Sequence, residues 1–340
     1  MNAPAILQLD HPYTAAPRIG EATLVAPGIR WIRMPLPFAL DHINLWLIDG
    51  EDGYAAVDCG FGDDVTSEAW QRHFATTMGD SPIRKLVATH YHPDHLGNGE
   101  WLASRFGVQV TMTHAEFLHA HAVWRNEGAL AAESFAQFLR VHGMTAEHVE
   151  KLAARGNAYR RGVPALPATF DRIIDGDTIR LGVAPFRVIA GFGHSPEHAA
   201  LHDAARGVLI SGDMLLPRIS TNISAWPGEP DGDPLARFLD SLSRFKDLPP
   251  DTLVLPSHGL PFRGIALRVA QLRAHHDARL AELEEFIRHA PAPVSAADVL
   301  PTLFRRELDL QQRFFAMGEA IAHLNHLWRR GRAERIVDAH

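Results

Sequence analysis

The chain has 340 residues, of which 46% are hydrophobic, and it carries a formal net charge of −7. This length and composition predict one large globular domain with a sizeable core and room for a small appendage. The acidic charge argues against nonspecific nucleic-acid binding as the main role, and Cys59, the only cysteine, excludes an internal disulfide and a thiolate metal cluster.

Strands and helices are expected to alternate in the N-terminal half, after a loose lead-in over residues 1–20. Short apolar runs bounded by Gly and Asp are typical of strands, and apolar residues three or four positions apart are typical of helices. In chain order we predict strands at 43–50 and 54–60, a helix at 64–78, a strand at 83–90, a helix at 96–107, a strand at 108–112, helices from 113 to about 155, and a Gly- and Pro-rich loop at 156–170.

Strands dominate the next part of the chain, and helices close it. We predict strands at 178–182, 186–191, 199–203 and 207–213, a helix at 233–245, a strand at 252–259, a long helix from 265 to about 287, a linker at 290–295, and two helices at 296–304 and 310–331. This order predicts an α/β protein with two sheets, outer helices and a small helical cap. We place the main domain at 1–290, with a helical insertion at about 113–165, and the cap at 291–340.

Four residues of metal-binding type stand within the six-residue stretch "HYHPDH" (90–95). In an extended backbone residues i and i+2 point the same way, so His90 and His92 can reach one ion together. Pro93 suits a helix start, which would turn Asp94 and His95 toward a neighbouring point. A catalytic zinc usually takes three protein ligands, so each pair needs a further ligand from elsewhere in the chain.

Three later residues can supply the missing ligands. His194, Asp213 and His258 each follow an apolar run that predicts a strand, although His198 competes with His194 for the same role. Imidazole and carboxylate groups suit zinc, and also iron or manganese.

The complete set, His90-x-His92-x-Asp94-His95 followed by His194, Asp213 and His258, resembles the ligand set of the metallo-β-lactamase superfamily. The stretches "HINLWLIDG" and "AAVDCG" are similar to the family's first two strand signatures. The resemblance covers about residues 20–260 and implies an αβ/βα sandwich with metals at one edge. The segment after 290 is similar to the winged-helix-like cap of the branch that includes β-lactamase-like protein 2.

The resemblance also implies a role for each ligand. His90, His92 and His194 would bind one divalent ion, Asp94, His95 and His258 a second, and Asp213 would bridge them. We expect zinc, with iron or manganese as alternatives. A hydroxide between the ions would be the nucleophile, and Asp94 or a nearby histidine would pass a proton to the leaving group, which makes Asp94 and Asp213 the catalytic candidates.

Several other polar residues have two readings. Asp58 is expected to orient a ligating imidazole rather than to bind metal. His42 and Asn44 are either polar groups at the edge of the site or plain turn residues. Arg218, Asn222 and Trp226 either line a substrate pocket next to Asp213 or belong to a structured loop without a catalytic role. These last three are our candidates for substrate binding.

The ligand set and the insertion narrow the reaction. A diiron oxidoreductase of this family usually has Glu where His92 stands, and lactam-hydrolysing members commonly lack the aspartate that Asp213 supplies. We therefore predict hydrolysis of a small ester, thioester or lactone; apolar residues of the insertion that are not used to pack it down would form a lid over such a substrate. A metal-dependent phosphodiesterase or endoribonuclease whose cap contacts nucleic acid is the alternative, and a non-catalytic metal-binding module is a third hypothesis.

The C-terminal arginines do not change this prediction. Arg329, Arg330, Arg332 and Arg335 resemble a DNA-contacting tail, but they are also typical of a solvated helix end. The first thirty residues show no signal peptide, and no apolar run reaches the ~18 residues of a membrane span. We therefore expect a cytoplasmic protein with a small-molecule substrate, without a membrane partner, and the composition leaves a homodimer open.

Overall fold

Two sheets with helices on their outer faces make up the protein, whose computed structural model describes residues 8–337. The first seven residues of the predicted lead-in lie outside this range. The strands are β1 (Thr23–Ala26), β2 (Ile29–Pro35), β3 (His42–Asp49), β4 (Tyr54–Val57), β5 (Ile83–Val87), β6 (Val110–Thr113), β7 (Phe170–Ile173), β8 (Thr178–Leu181), β9 (Ala184–Gly191), β10 (His198–Asp203), β11 (Val208–Gly212) and β12 (Leu253–Pro256).

The helices fill the spaces between these strands and close the chain. They are α1 (Asp64–Ala75), α2 (Pro93–Leu96), α3 (Gly99–Phe106), α4 (His114–Arg125), α5 (Ala132–Val141), α6 (Ala146–Ala153), α7 (Tyr159–Gly162), α8 (Pro234–Leu242), α9 (Ile265–His289), α10 (Leu300–Leu303) and α11 (Leu310–Arg329). Among the described residues, none of these helices has the length and apolar character needed to cross a membrane.

The first sheet has the order β1-β2-β3-β4-β5-β6-β7, and the second has the order β12-β11-β10-β9-β8. Strands β4 to β7 run parallel to one another, as do β11 and β12, and the other pairs are antiparallel. Together with the outer helices, this arrangement confirms the predicted αβ/βα sandwich.

Strand β3 has an apolar sequence because both of its faces are covered, one by the second sheet and one by outer helices. Side chains alternate between the faces of a strand, so an uninterrupted apolar run indicates that both faces are covered. Trp46 and Ile48 join the core between the two sheets, while Leu45 and Leu47 join the core under the outer helices of the first sheet. The prediction of a strand at 43–50 rested on this run.

Three strands were absent from the prediction, and each has charged or polar residues within its apolar pattern. In β2, Arg30 and Arg33 interrupt the run, yet Trp31, Ile32 and Met34 are fully buried. Strand β1 pairs with β2 as a hairpin, and β7, with the sequence FDRI, pairs with β6 just after the predicted loop.

A third core lies outside the second sheet and includes the C-terminal segment. It joins Leu235 and Phe238 of α8, Leu272 of α9, and Met317 and Ile321 of α11. The residues described after 290 form α10 and α11 without a strand, so the winged-helix form of the cap is not confirmed. The boundary at 290 remains a prediction, because these helices share one core with the rest of the chain.

Candidate metal centre

The seven predicted ligands come together at one edge of the sandwich. His90 follows β5, Asp213 follows β11 and His258 follows β12, while His194 follows β9, which runs in the same direction as β11. The carboxyl ends of strands that run together meet at one sheet edge, which places these residues side by side although they are far apart in sequence.

Three histidines form the first group of converging ligand atoms, in which all atoms lie within 4.8 Å of one another: His90, His92 and His194. The Nε2 atom of His90 lies 2.8 Å from Nδ1 of His92 and 3.2 Å from Nε2 of His194. His92 is the N-cap residue of α2, and Pro93 occupies the first turn of that helix, as predicted for the turn out of the strand.

Asp94, His95 and His258 form a second group, and Asp213 lies between the two. One Asp213 oxygen, Oδ2, lies 3.4 Å from Nε2 of His194. The other, Oδ1, lies 3.5 Å from Nε2 of His95 and 3.5 Å from Nε2 of His258. Asp213 therefore presents one oxygen to each group, which is the geometry of a bridging carboxylate.

The charge states suit cation binding. Burial, followed by the neighbouring imidazoles, holds the pKa of His90 and His92 well below the ordinary value, so both rings are neutral. Burial acts against ionisation of Asp94, but His95 and His258 lower its pKa to about 2. Burial likewise opposes charge on His258, yet Asp213 and Asp94 raise its pKa to about 10, so this ring holds a proton that a cation would displace.

Two buried atoms in the cluster lack a partner within residues 8–337: Nε2 of His95 and Oδ1 of Asp213. A buried polar atom without a hydrogen bond is costly, so both positions call for a ligand. Imidazole nitrogen and carboxylate oxygen are donors that zinc, iron and manganese accept. The residues present therefore fit divalent cations, and the chain's own chemistry does not select among these metals.

Neighbouring residues set the orientation of the ligands. Asp58, which has a positive φ of 67°, accepts hydrogen bonds from the Thr89 backbone N–H at 2.8 Å and from His95 Nδ1 at 2.9 Å. The Nε2 atom of His95 thereby points into the cluster. The Nδ1 atom of His258 donates in the same way to the carbonyl of His42 at 2.8 Å.

His198 and Asn44 support the cluster from behind. The Asp213 backbone N–H donates to Nε2 of His198 at 3.2 Å, so the fully buried His198 braces the bridging residue while His194 faces the ligands. Asn44 donates to the carbonyls of Pro256 and Gly259 at 2.9 Å each, which holds the loop around His258.

Glu116 of α4 is a functional candidate that the sequence analysis missed. Its carboxylate is fully buried and accepts from the Tyr91 backbone N–H at 2.9 Å, the Ser195 hydroxyl at 2.6 Å and the Glu197 backbone N–H at 2.7 Å. It thus ties the loop of His90 and His92 to the loop of His194. No signal in the sequence separates this glutamate from the exposed glutamates of neighbouring helices.

The three predicted substrate residues lie in different surroundings. Arg218 is exposed and has no polar partner in the described part of the chain. The side chain of Asn222 is held by Glu319 and Ser224. Trp226 packs against Phe135 of α5 at a ring-centroid distance of 5.3 Å. None of the three is hydrogen-bonded to a cluster side chain through its own side chain.

Family comparisons agree with this geometry. Residues 39–258 match the model of the metallo-beta-lactamase superfamily, and residues 280–340 match the model of the metallo-beta-lactamase-like C-terminal domain. The chain is similar to a solved beta-lactamase domain protein from Burkholderia ambifaria, with 46% identity and a TM-score of 0.87 over 95% of this chain and 93% of that one.

Two curated relatives are more distant. Probable metallo-hydrolase YqjP of Bacillus subtilis is 25% identical over 87% of this chain and 91% of the relative. A hydroxyacylglutathione hydrolase of Erythrobacter litoralis is 25% identical over 80% of this chain and 83% of the relative.

Proposed function

This chain belongs to the metallo-beta-lactamase superfamily and is a metallo-hydrolase; from that premise we propose that it hydrolyses a small ester, thioester or lactone at a site for two divalent cations, with zinc the expected metal. The single observation that carries the proposal is the position of Asp213, whose two oxygens face two separate sets of histidines. One set would be His90, His92 and His194, and the other Asp94, His95 and His258.

Two divalent cations held there would activate water and polarise the substrate's carbonyl. The chain's own residues orient the reacting groups. Asp94 and His92 are half-buried while most of the cluster is buried, so substrate would approach from their side. Asp94 or a nearby histidine would pass the proton released by the attacking water to the leaving group.

Two features favour a small acyl substrate. Arg218 is exposed and follows Asp213 by five positions, and its guanidinium would bind a substrate carboxylate through paired hydrogen bonds. Trp226, on the loop that follows Asp213, forms an apolar cluster with Phe135 of α5 and Phe314 of α11, with ring-centroid distances of 5.3 to 6.2 Å. The relative named as a hydroxyacylglutathione hydrolase acts on a glutathione thioester, which supports thioesters as the first substrates to test.

The nuclease alternative receives less support, because three of the four C-terminal arginines are already paired within the described part of the chain. Arg329 donates to the backbone carbonyl of Asp231, Arg335 pairs with the carboxylate of Asp231, and Arg332 pairs with Glu284. A phosphate-binding tail would need these guanidinium groups free.

Metal analysis and a substrate panel test the proposal. Protein expressed with metal supplement should contain close to two transition-metal ions per chain, and should turn over S-acylglutathiones, p-nitrophenyl esters or lactones faster than bis(p-nitrophenyl) phosphate or a short RNA. A metal content near zero would reject the binuclear site. Turnover of the phosphodiester or RNA alone, suppressed in the double variant Arg329→Ala with Arg330→Ala, would favour the nuclease.

A further inference from the structure

Helix α11 of the C-terminal segment lies directly against the loop that follows Asp213. The Ala225 backbone N–H donates to the carbonyl of Gly318 at 3.0 Å. A Cβ atom at Gly318 would come within 2.6 Å of the Ser224 hydroxyl oxygen, so glycine permits this close approach. The backbone of the helix is therefore in direct contact with the backbone of the loop.

Next to this contact, Glu319 of α11 holds the side chain of Asn222. The Asn222 amide nitrogen donates to Oε2 of Glu319 at 3.3 Å, and the amide oxygen accepts from the Ser224 hydroxyl at 2.7 Å. Both ends of the amide are thus engaged, which restricts the rotation of Asn222 and the position of its peptide group.

The backbone carbonyl of that same residue contacts a ligand of the cluster. His194 donates from Nδ1 to the Asn222 carbonyl at 2.9 Å. This bond directs Nε2 of His194 at the cluster, 3.2 Å from Nε2 of His90 and 3.4 Å from Oδ2 of Asp213. Partners of this kind fix the tautomer and the ring orientation of a metal-binding histidine.

We infer that Glu319 is a positioning residue of the metal centre, which acts through Asn222 on the ring of His194. Helix α11 of the C-terminal segment thereby contributes to the geometry of the metal ligands. The inference rests on the proposed function, because it assumes that His194 binds a cation. It assigns the C-terminal segment a role in metal affinity that requires no contact with substrate.

Three single variants and one double variant separate this role from a general contribution to folding. Glu319→Ala removes the acceptor for Asn222, and Glu319→Gln keeps an acceptor oxygen at the same place. Asn325→Ala is the matched control, since Asn325 also ties α11 to the long loop, through the carbonyls of Pro230 and Gly232, but away from His194. Glu319→Ala combined with Asn222→Ala tests whether the two side chains act on His194 through the same contact.

The measurement is the Zn2+ dissociation constant of the metal-free protein, determined for each binding step by competition with a chromophoric chelator. Loss of an outer partner typically weakens metal binding 10- to 100-fold, so we expect Glu319→Ala to weaken one of the two steps by about 10-fold. Glu319→Gln and Asn325→Ala should remain within about twofold of the wild type, and the double variant should bind no more weakly than Glu319→Ala alone. Circular dichroism establishes that each variant is folded.

The visible absorption of the Co2+-loaded protein provides a second readout, because it reports the geometry of the ligands independently of turnover. Its bands should change in Glu319→Ala and be restored in Glu319→Gln. Equal Zn2+ affinity in wild type and Glu319→Ala, or an equal loss in Asn325→Ala, would overturn the inference. A wild-type protein that binds no Zn2+ would instead overturn the proposed function.

Discussion

Asp213 is the residue on which the two halves of the cluster depend. It lies at the end of β11, is almost completely buried, and places one carboxylate oxygen against His194 and the other against His95 and His258. Besides Asp213, one acidic residue in the described part of the chain, Asp94, lies near both His95 and His258. Asp94 belongs to the second ligand group alone, so it does not face both groups as Asp213 does.

We expect Asp213→Ala to lower kcat/KM by more than about 100-fold, because two neighbouring cations would repel each other without the bridging carboxylate. This loss would exceed the range that is typical when a hydrogen-bond partner of a metal ligand is removed. Far-ultraviolet circular dichroism should be unchanged. Asp203→Ala is the control, since Asp203 is a buried aspartate at the opposite end of the same hairpin and binds Arg206. It should lower stability and leave the rate intact. A normal rate in Asp213→Ala would show that another residue bridges the ions.

Glu319 should make the stability of the protein depend on pH. Burial raises the pKa of Glu319 from 4.5 to about 7, although the Asn222 amide and Arg279 act in the opposite direction. Nearby on α11, His323 stays neutral, since burial lowers its pKa to about 4. Between about pH 4.5 and 7 the folded protein keeps a proton that the unfolded chain has released, so stability falls as the pH rises through this window.

The Glu319→Gln variant has no carboxyl group at this position that could bind or release a proton. We expect the free energy of unfolding of the wild type to fall relative to this variant by about 1–2 kcal/mol between about pH 5 and pH 8, a value reduced for partial exposure of the half-buried side chain. Urea unfolding of both proteins across this range measures the difference. A difference that does not vary with pH would show that Glu319 titrates normally.

At the level of elements, α4 connects the two ligand loops through a single buried carboxylate. Glu116 accepts three hydrogen bonds, from Tyr91, Ser195 and Glu197. It therefore holds the loop of His90 and His92 against the loop of His194. The insertion that begins with α4 thus contributes directly to the frame of the metal centre. Whether it also covers bound substrate as an apolar lid remains a prediction.

We expect Glu116→Ala to lower the free energy of unfolding by about 3 kcal/mol or more, because two buried donors and one partly buried donor would lose their acceptor. Metal affinity should fall as well, since both histidine loops would be released. Glu147→Ala is the control, because Glu147 lies exposed on α6 and pairs with Lys151 on the same helix. Chemical denaturation and chelator competition measure the two effects, and an unchanged unfolding midpoint in Glu116→Ala would contradict this account.

At the scale of the whole molecule, the C-terminal helices and the second sheet share one core. Met317 and Ile321 of α11 are fully or almost fully buried in the same cluster as Phe238 and Leu272. Neither part can bury its apolar surface without the other, so they should not unfold separately.

We therefore expect one cooperative unfolding transition. Heat unfolding followed by circular dichroism and by tryptophan fluorescence should give coincident curves, and Zn2+ should raise the midpoint relative to protein in a chelator, because a ligand that binds only the folded state stabilises it. Two separated transitions, or a truncated chain of residues 1–290 that folds and binds metal normally, would indicate an independent C-terminal unit.

The sequence by itself determined the features that depend on local order. The spacing of His90, His92, Asp94 and His95 predicted the metal motif, and the apolar runs before His194, Asp213 and His258 predicted the strands that carry these residues. Period-2 and period-3.6 patterns predicted most strands and helices, because side-chain direction follows from backbone geometry alone. The hairpin of β1 and β2 was not predicted, because Arg30 and Arg33 interrupt the apolar pattern of β2.

Only the tertiary structure decided which polar residues act together. Glu116 and Glu319 look like ordinary helix glutamates in sequence, and their partners Ser195 and Asn222 lie 79 and 97 positions away. The family resemblance favoured His194 over His198, and the structure shows where each ring lies: His194 faces the cluster, and His198 accepts a hydrogen bond from the Asp213 backbone N–H. Arg332 and Arg335 became ion-pair partners only once Glu284 and Asp231 were folded against them. Hydrogen bonds and ion pairs depend on distances of a few ångströms, which long-range packing sets and local sequence patterns do not encode.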